Sequence, residues 1–174
     1  MTYVRQKGDL IQRLSQAVKA NQETLELKVQ ELVTTNKNQT REIQNLKTQQ
    51  VQLYVDNLLE SKSSLGRVIT ARIDHTQVGE GELQLVLDLL PAKLQDKVAL
   101  LTHVSKEQFA ILIGVGASAP DHLNAQDLIR EISMLVDGRG GGKKDRARAG
   151  SKHIEKEPML LEKGRKIIDS KFNL

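Results

Sequence analysis

The sequence predicts an α+β protein in which a long helical segment, residues 1–62, precedes a small globular domain, residues 63–174. Two observations predict this division. Residues 9–61 contain neither glycine nor proline and place apolar residues at seven-residue intervals, a pattern typical of coiled-coil helices. From residue 66 onward, short apolar runs alternate with amphipathic stretches and turn residues, a pattern typical of a mixed sheet with helices packed on it.

The helical segment carries its apolar residues along one seam. The seam residues that we expect to pack against another helix are Leu25, Val29, Leu32, Ile43, Leu46 and Leu53. The seam turns polar at Asn36 and Gln39, in a stretch whose threonines and asparagines are poor helix formers. Two arrangements fit: a single helix of about 80 Å that pairs with a second copy, or an antiparallel hairpin that turns near residues 36–38. The unbroken register favours the single helix, whereas the local composition favours the hairpin, which is our preference.

The pattern in the globular domain predicts the element order β-α-β-β-α-β-α. Strands are expected at residues 68–73, 98–104, 108–115 and 146–151. Helices are expected at residues 83–94, 128–135 and 157–172. The second and third strands flank a polar turn and are expected to pair antiparallel. Gly138 follows the second of these helices and is expected to close it, because glycine adopts the left-handed conformation with which many helices end.

The composition excludes several classes of protein. There is no cysteine and the four histidines show no ligand spacing, so neither a disulfide nor a metal site is predicted, and no cofactor is expected in this chain. No apolar run is long enough to span a bilayer, so we expect no membrane partner and a cytoplasmic location, with an organellar one left open. Aromatic residues make up 2% of the chain, which disfavours binding by base stacking.

Residues 138–152, GRGGGKKDRARAGSK, carry the strongest functional signal. Residues 139–174 have a net charge of +6, whereas residues 63–138 have a net charge of −4. Clustered lysine and arginine side chains neutralise phosphates, and glycines let the backbone approach another surface closely. The stretch therefore predicts a nucleic-acid-binding loop. Its expected contact residues are Arg139, Gly140, Gly141, Gly142, Lys143, Lys144, Arg146, Arg148 and Lys152. A solvated edge strand, protected from pairing by its charges, is the alternative for residues 144–148.

The spacing within this stretch resembles the C-terminal domain of alanyl-tRNA synthetase. That family carries a G-[KR]-GGG-[RK]-x-D-x-A-x-A-G signature near its C-terminus, and residues 138–150 match it position for position. The order of elements before the signature is also similar to that domain. A related domain accompanies phosphoesterases of the DHH family, which usually have histidine directly after the glycines. Lys143 stands at that position here, which disfavours the phosphoesterase.

The resemblance implies a tRNA-binding and oligomerisation module without catalytic activity of its own. In that family the domain holds the outer corner of the tRNA and supports aminoacylation and editing by other domains. Its helical part is often involved in dimerisation. The implied partners are an alanine-specific tRNA and a second copy of the chain, and ATP and zinc are implied only for the full synthetase. Two alternatives stay open: a coiled-coil scaffold with a solubilising basic tail, and the substrate-gripping half of a DHH-type phosphoesterase.

Overall fold

The computed structural model describes residues 2–62 and 66–172, with side chains from residue 6 onward. It confirms the predicted α+β fold, with a long N-terminal helix followed by a mixed sheet and its helices. The chain divides into two compact units, residues 1–47 and 48–174. Residue 63, where we placed the start of the globular domain, lies outside the described residues.

Two helices account for the N-terminal part of the chain. Helix α1 comprises Thr2–Val18 and helix α2 comprises Leu25–Lys62. Lys19 ends α1 with a left-handed backbone conformation (φ 53°), and the N–H of Ala20 donates to the carbonyl oxygen of Ser15 at 2.9 Å. This is the hydrogen bond of a Schellman cap. The side chain of Asn21 then accepts from the N–H of Thr24 at 2.8 Å, which starts the next helix.

The hairpin turn that we predicted near residues 36–38 is wrong, because this stretch lies inside α2. Its threonines remain helical by bonding to the preceding turn: Thr34 Oγ1 donates to the Gln30 carbonyl at 2.9 Å, and Thr40 Oγ1 donates to the Asn36 carbonyl at 2.8 Å. Weak intrinsic propensity was therefore overridden by the surrounding helix. The break falls instead at residues 19–24, where the sequence contains neither glycine nor proline.

A five-stranded sheet forms the framework of the second unit. Its strands are β1 (Val68–Ile73), β2 (Val98–Val104), β3 (Phe109–Val115), β4 (Arg139–Gly142) and β5 (Arg146–Ser151). They are arranged in the order β1-β2-β3-β5-β4; β1 pairs parallel with β2 and the other pairs are antiparallel. Four of them were predicted. Strand β4 was not predicted, because three of its four residues are glycine, which is depleted in strands.

Helices cover both faces of the sheet. They are α3 (Leu83–Leu94), α4 (Ala125–Met134) and α5 (Glu157–Phe172). Helices α4 and α5 pack on one face, here called the α4 face, through residues such as Leu100 and Ile111. Helix α3 and the last turns of α2 pack on the other, the α3 face, through residues such as Leu101 and Leu112. Successive strand residues thus alternate between the two cores, as the period of a β-strand requires.

A buried carboxylate anchors the start of α5 to the sheet. The side chain of Glu157 is 1% exposed and forms an ion pair with Arg72 of β1. It also accepts a hydrogen bond from Thr102 Oγ1 of β2 at 2.5 Å. Burial alone would raise the pKa of Glu157, but the hydrogen bonds from Arg72 and Thr102, together with the charge of Arg72, outweigh burial and hold the pKa below its ordinary value.

Candidate nucleic-acid interface

The predicted basic loop is in fact a β-hairpin made of β4 and β5. Lys144 and Asp145 form its turn, and the N–H of Lys143 donates to the carbonyl oxygen of Arg146 at 2.7 Å. The predicted strand at residues 146–151 is confirmed. Strand β5 lies between β3 and β4, so the hairpin extends the sheet and β4 forms its edge.

Two of the three central glycines are required by packing. A Cβ atom at Gly140 would overlap the carbonyl oxygen of Arg148, and one at Gly142 would overlap the Cα of Ala147. No described atom lies within 4 Å of the position that a Cβ at Gly141 would take. Backbone proximity therefore explains Gly140 and Gly142, whereas the fold leaves room for a side chain at Gly141.

The hairpin is entered through the capped end of α4. We expected Gly138 to be the left-handed residue, but it is Asp137 that has a φ of 53°, while the N–H of Gly138 donates to the Ser133 carbonyl at 2.8 Å. Gly138 is needed for space, because its Cβ would lie 3.0 Å from the carbonyl oxygen of Gly150. Lys156 donates to the Asp137 carboxylate at 2.7 Å, and this hydrogen bond lowers the pKa of Asp137.

Alternation along β5 separates a packing side from a charged side. Ala147 and Ala149 point to the α4 face and are buried in its core. Arg148 pairs in register with Leu112 of β3, which places it with Arg146 on the α3 face. Arg139 of β4 pairs with Gly150 and belongs to the same face. Three arginines of the predicted contact set are therefore brought together, while Lys143 and Lys144 lie at the turn and Lys152 follows β5.

Carboxylates neutralise only part of this charge. Lys144 Nζ lies 3.1 Å from Asp121 Oδ1, and Arg146 Nη1 lies 3.1 Å from Asp88 Oδ1. Arg146 Nε also lies 4.0 Å from Asp145 Oδ2. The other predicted basic residues have no ion-pair partner within the described part of the chain: they are Arg139, Lys143, Arg148 and Lys152. These four cations are available to a polyanion without first breaking an internal contact.

Two adjoining grooves open beside the free arginines. The first, here called the arginine groove, has a volume of about 280 Å³; it is lined by Arg139 and Arg148 and, from other elements, by Glu80, His103 and Gln108. The second, of about 330 Å³, shares Arg139 with the first and is also lined by Lys152. The sequence did not point to Glu80, His103 or Gln108, because the fold brings them to the hairpin from a strand and from turns that are distant in the chain.

Within residues 2–62 and 66–172, no helix is long and apolar enough to cross a membrane. The same residues contain no cluster of three or more histidine, aspartate and glutamate side chains that could hold a metal ion.

Comparison with known proteins relates the chain to the DHHA1 domain and to alanine–tRNA ligases. Residues 65–170 match the model of the DHHA1 domain. The chain is 31% identical over 172 residues to the alanine–tRNA ligase of Carboxydothermus hydrogenoformans. That similarity covers 98% of this chain but only 19% of the relative. The chain thus spans about a fifth of the length of this relative.

Two solved structures are similar to parts of this chain. The C-Ala domain of Aquifex aeolicus alanyl-tRNA synthetase is 26% identical, with a TM-score of 0.51, and the similarity covers 57% of this chain and 88% of that domain. The exonuclease RecJ bound to manganese is 15% identical, with a TM-score of 0.55, over 81% of this chain and 32% of RecJ. At this identity, the likeness to RecJ concerns the fold alone.

Proposed function

The chain belongs to the DHHA1 domain family, and on that basis we propose that it is the tRNA-binding C-terminal module of an alanyl-tRNA synthetase. The observation that carries the proposal is the β4–β5 hairpin, where Arg139, Lys143, Arg148 and the adjoining Lys152 have no ion-pair partner among the described residues. The similarity to an alanine–tRNA ligase over 98% of the chain supports tRNA as the polyanion. The isolated module would hold tRNA without charging it, work in the cytoplasm and need no cofactor of its own.

The proposed mechanism of binding is electrostatic and depends on the shape of the RNA. Arg139 and Arg148 would each engage phosphate oxygens with two parallel hydrogen bonds, and Lys143 and Lys152 would act as point charges on either side. The bare Gly141 would let the sugar–phosphate backbone approach the strand closely. Each neutralised phosphate releases condensed counterions, so salt would weaken the complex steeply.

We also propose that α2 pairs with a second copy of the chain. Apolar residues of its seam are exposed to solvent, among them Ile43 (55%), Leu46 (57%) and Leu53 (65%). Exposed apolar side chains that recur along one side of a helix often mark a surface for a partner, and a seven-residue repeat is suited to helix pairing. Leu25, Val29 and Leu32 would continue the same contact. This observation also supports the second candidate function, a coiled-coil scaffold on which the basic hairpin merely solubilises the chain.

A salt titration of tRNA binding tests the first proposal. We expect the logarithm of the binding constant to fall linearly with the logarithm of salt concentration, and each lost phosphate contact to reduce the slope by about 0.7–0.9. The double variant Arg139→Gln/Arg148→Gln should bind weakly with a reduced slope. The control Lys37→Gln/Lys163→Gln removes the same charge from exposed helical positions and should bind like the parent. An equal loss of tRNA affinity in both double variants, or tRNA binding that does not depend on salt, would contradict the proposal.

Sedimentation separates the module from the scaffold. Leu46→Lys/Leu53→Lys should reduce the mass in solution to that of a monomer while single-site tRNA affinity persists. If the Arg139/Arg148 variant kept full tRNA affinity and the parent chain were oligomeric, the scaffold function would be favoured.

A further inference from the structure

The arginine groove contains hydrogen-bond acceptors opposite its cations. His103 of β2 is 3% exposed, and its Nε2 lies 3.1 Å from the carbonyl oxygen of Val78. A carbonyl oxygen can only accept, so Nε2 carries the hydrogen and Nδ1 of the neutral ring is an acceptor. No described residue donates to that Nδ1. His103, which lines the groove, therefore has an acceptor nitrogen that no described residue uses.

Glu80 supplies a second acceptor. Its Oε1 accepts from Gln108 Nε2 at 3.3 Å, which leaves acceptor capacity on the carboxylate. Although Glu80 lines the same groove as Arg139 and Arg148, no ion pair within 4.0 Å joins it to either arginine among the described residues. A carboxylate in a groove that binds only phosphates would weaken binding by repulsion, so its position indicates a ligand that also brings a hydrogen-bond donor.

A ribonucleotide in RNA carries a hydroxyl and a phosphate on adjacent ribose carbons, C2′ and C3′. Its phosphate suits two arginines, and its 2′-hydroxyl is a donor that DNA lacks. Carboxylates recognise ribose hydroxyls in other folds by the same hydrogen bond. The groove volume of about 280 Å³ is of the size expected for one small-molecule unit rather than for a folded segment.

We propose that the arginine groove reads a ribose 2′-hydroxyl of the bound RNA. Arg139 and Arg148 hold the neighbouring phosphate, and Glu80 and His103 accept from the sugar. The inference rests on the proposed function, since it assumes an RNA ligand. It adds that Glu80 and His103 distinguish RNA from DNA. The cations alone bind either polymer; the acceptors are favourable only where the hydroxyl is present.

The test compares an alanine tRNA transcript with a DNA copy of the same sequence, using the full chain at pH 8 and one salt concentration. The parent chain should prefer RNA, and Glu80→Ala should narrow the ratio of RNA to DNA affinity about tenfold, the effect of one hydrogen bond to a charged group. Glu42→Ala is the matched control, because it removes an exposed carboxylate of α2 that lines neither groove beside the hairpin. It should leave the ratio unchanged.

The outcomes separate this inference from the function on which it rests. If Glu80→Ala raised RNA and DNA affinity equally, the carboxylate would only repel phosphates and the inference would be overturned, while tRNA binding stood. Equal affinity of the parent for RNA and DNA would overturn it in the same way. A parent chain that bound no RNA at any salt concentration would overturn both. His103→Phe, which keeps a ring but lacks Nδ1, should narrow the ratio as Glu80→Ala does, provided that its thermal unfolding shows a folded chain.

Discussion

The two faces of the β4–β5 hairpin are built from the same short stretch of sequence but meet different demands. On the α4 face, Ala147 and Ala149 are buried and a side chain at Gly140 would overlap the backbone of β5. On the α3 face, Arg148 borders a groove and a side chain at Gly141 would meet open space. Glycines of one motif therefore serve different purposes. On the α4 face the fold requires a small residue, whereas on the α3 face the missing side chain leaves room for a partner.

The largest effect on stability is expected for substitutions on the α4 face. Gly140→Ala or Gly142→Ala should destabilise the protein by about 3 kcal/mol, because the added Cβ overlaps backbone atoms that cannot move aside singly. Urea unfolding followed by circular dichroism measures the loss. A midpoint within error of the parent would show that β4 shifts freely and that the two faces do not differ in packing.

The second test weakens the α4 face at a distance from the hairpin. Glu157→Gln should cost about 2 kcal/mol at pH 7, since it removes the charge that binds Arg72 and Thr102. The lowered pKa of Glu157 means that its stabilisation is complete above the unfolded-state pKa of about 4.3 and is lost as the pH falls through the folded-state value. Unfolding measured from pH 7 to pH 3 should therefore show less pH dependence in the variant. The tRNA affinity of the variant at pH 7 should match that of the parent if the stability of the α4 face does not affect binding on the α3 face.

The third test adds a side chain at Gly141, on the α3 face. Gly141→Val should leave stability within about 0.5 kcal/mol, because the site is exposed and has no neighbour to meet. It should reduce tRNA affinity about tenfold by holding the RNA backbone off the strand, a loss of about 1.4 kcal/mol. Fluorescence anisotropy with labelled tRNA measures it, and unchanged affinity would remove Gly141 from the contact surface.

The smallest effect is a gain. Asp88→Asn should remove the shorter of the two ion pairs of Arg146 and leave only the 4.0 Å contact with Asp145, which makes more of its charge available on the α3 face. We expect tRNA binding to strengthen by a few fold and the salt slope to steepen by about 0.7–0.9. Asp121→Asn, which releases Lys144 at the turn, gives a companion measurement. Weaker binding of either variant would mean that the ion pair positions the cation.

Local patterns predicted most of the fold. Strands at residues 68–73 and 98–104 and helices at residues 83–94 and 157–172 have the bounds expected from their periodicity. The resemblance of residues 138–150 to the C-terminal domain of alanyl-tRNA synthetase is confirmed by the relatives. The two features that the sequence did not predict go against the intrinsic conformational preferences of their residues. Strand β4 is mostly glycine, and the break at residues 19–24 begins with a lysine in the left-handed region.

The site was only partly predictable, for a different physical reason. The basic residues lie close together in sequence, so composition shows them at once. Their separation into free and paired cations depends on Asp88 and Asp121, which come from other elements. His103 reaches the arginine groove from β2 and Glu80 from the short 3-10 turn before α3, and no local pattern encodes that juxtaposition.

Strand β4 has one neighbour, β5, and its other edge pairs with no strand of the sheet. Opening it breaks the hydrogen bonds of one short ladder and exposes almost no apolar side chain, so it can open without the rest of the sheet. We expect the amide hydrogens that join β4 to β5 to exchange through brief local openings, and those that join β5 to β3 to exchange only through larger ones. We therefore expect RNA binding to slow amide exchange in β4 before it slows exchange elsewhere in the sheet.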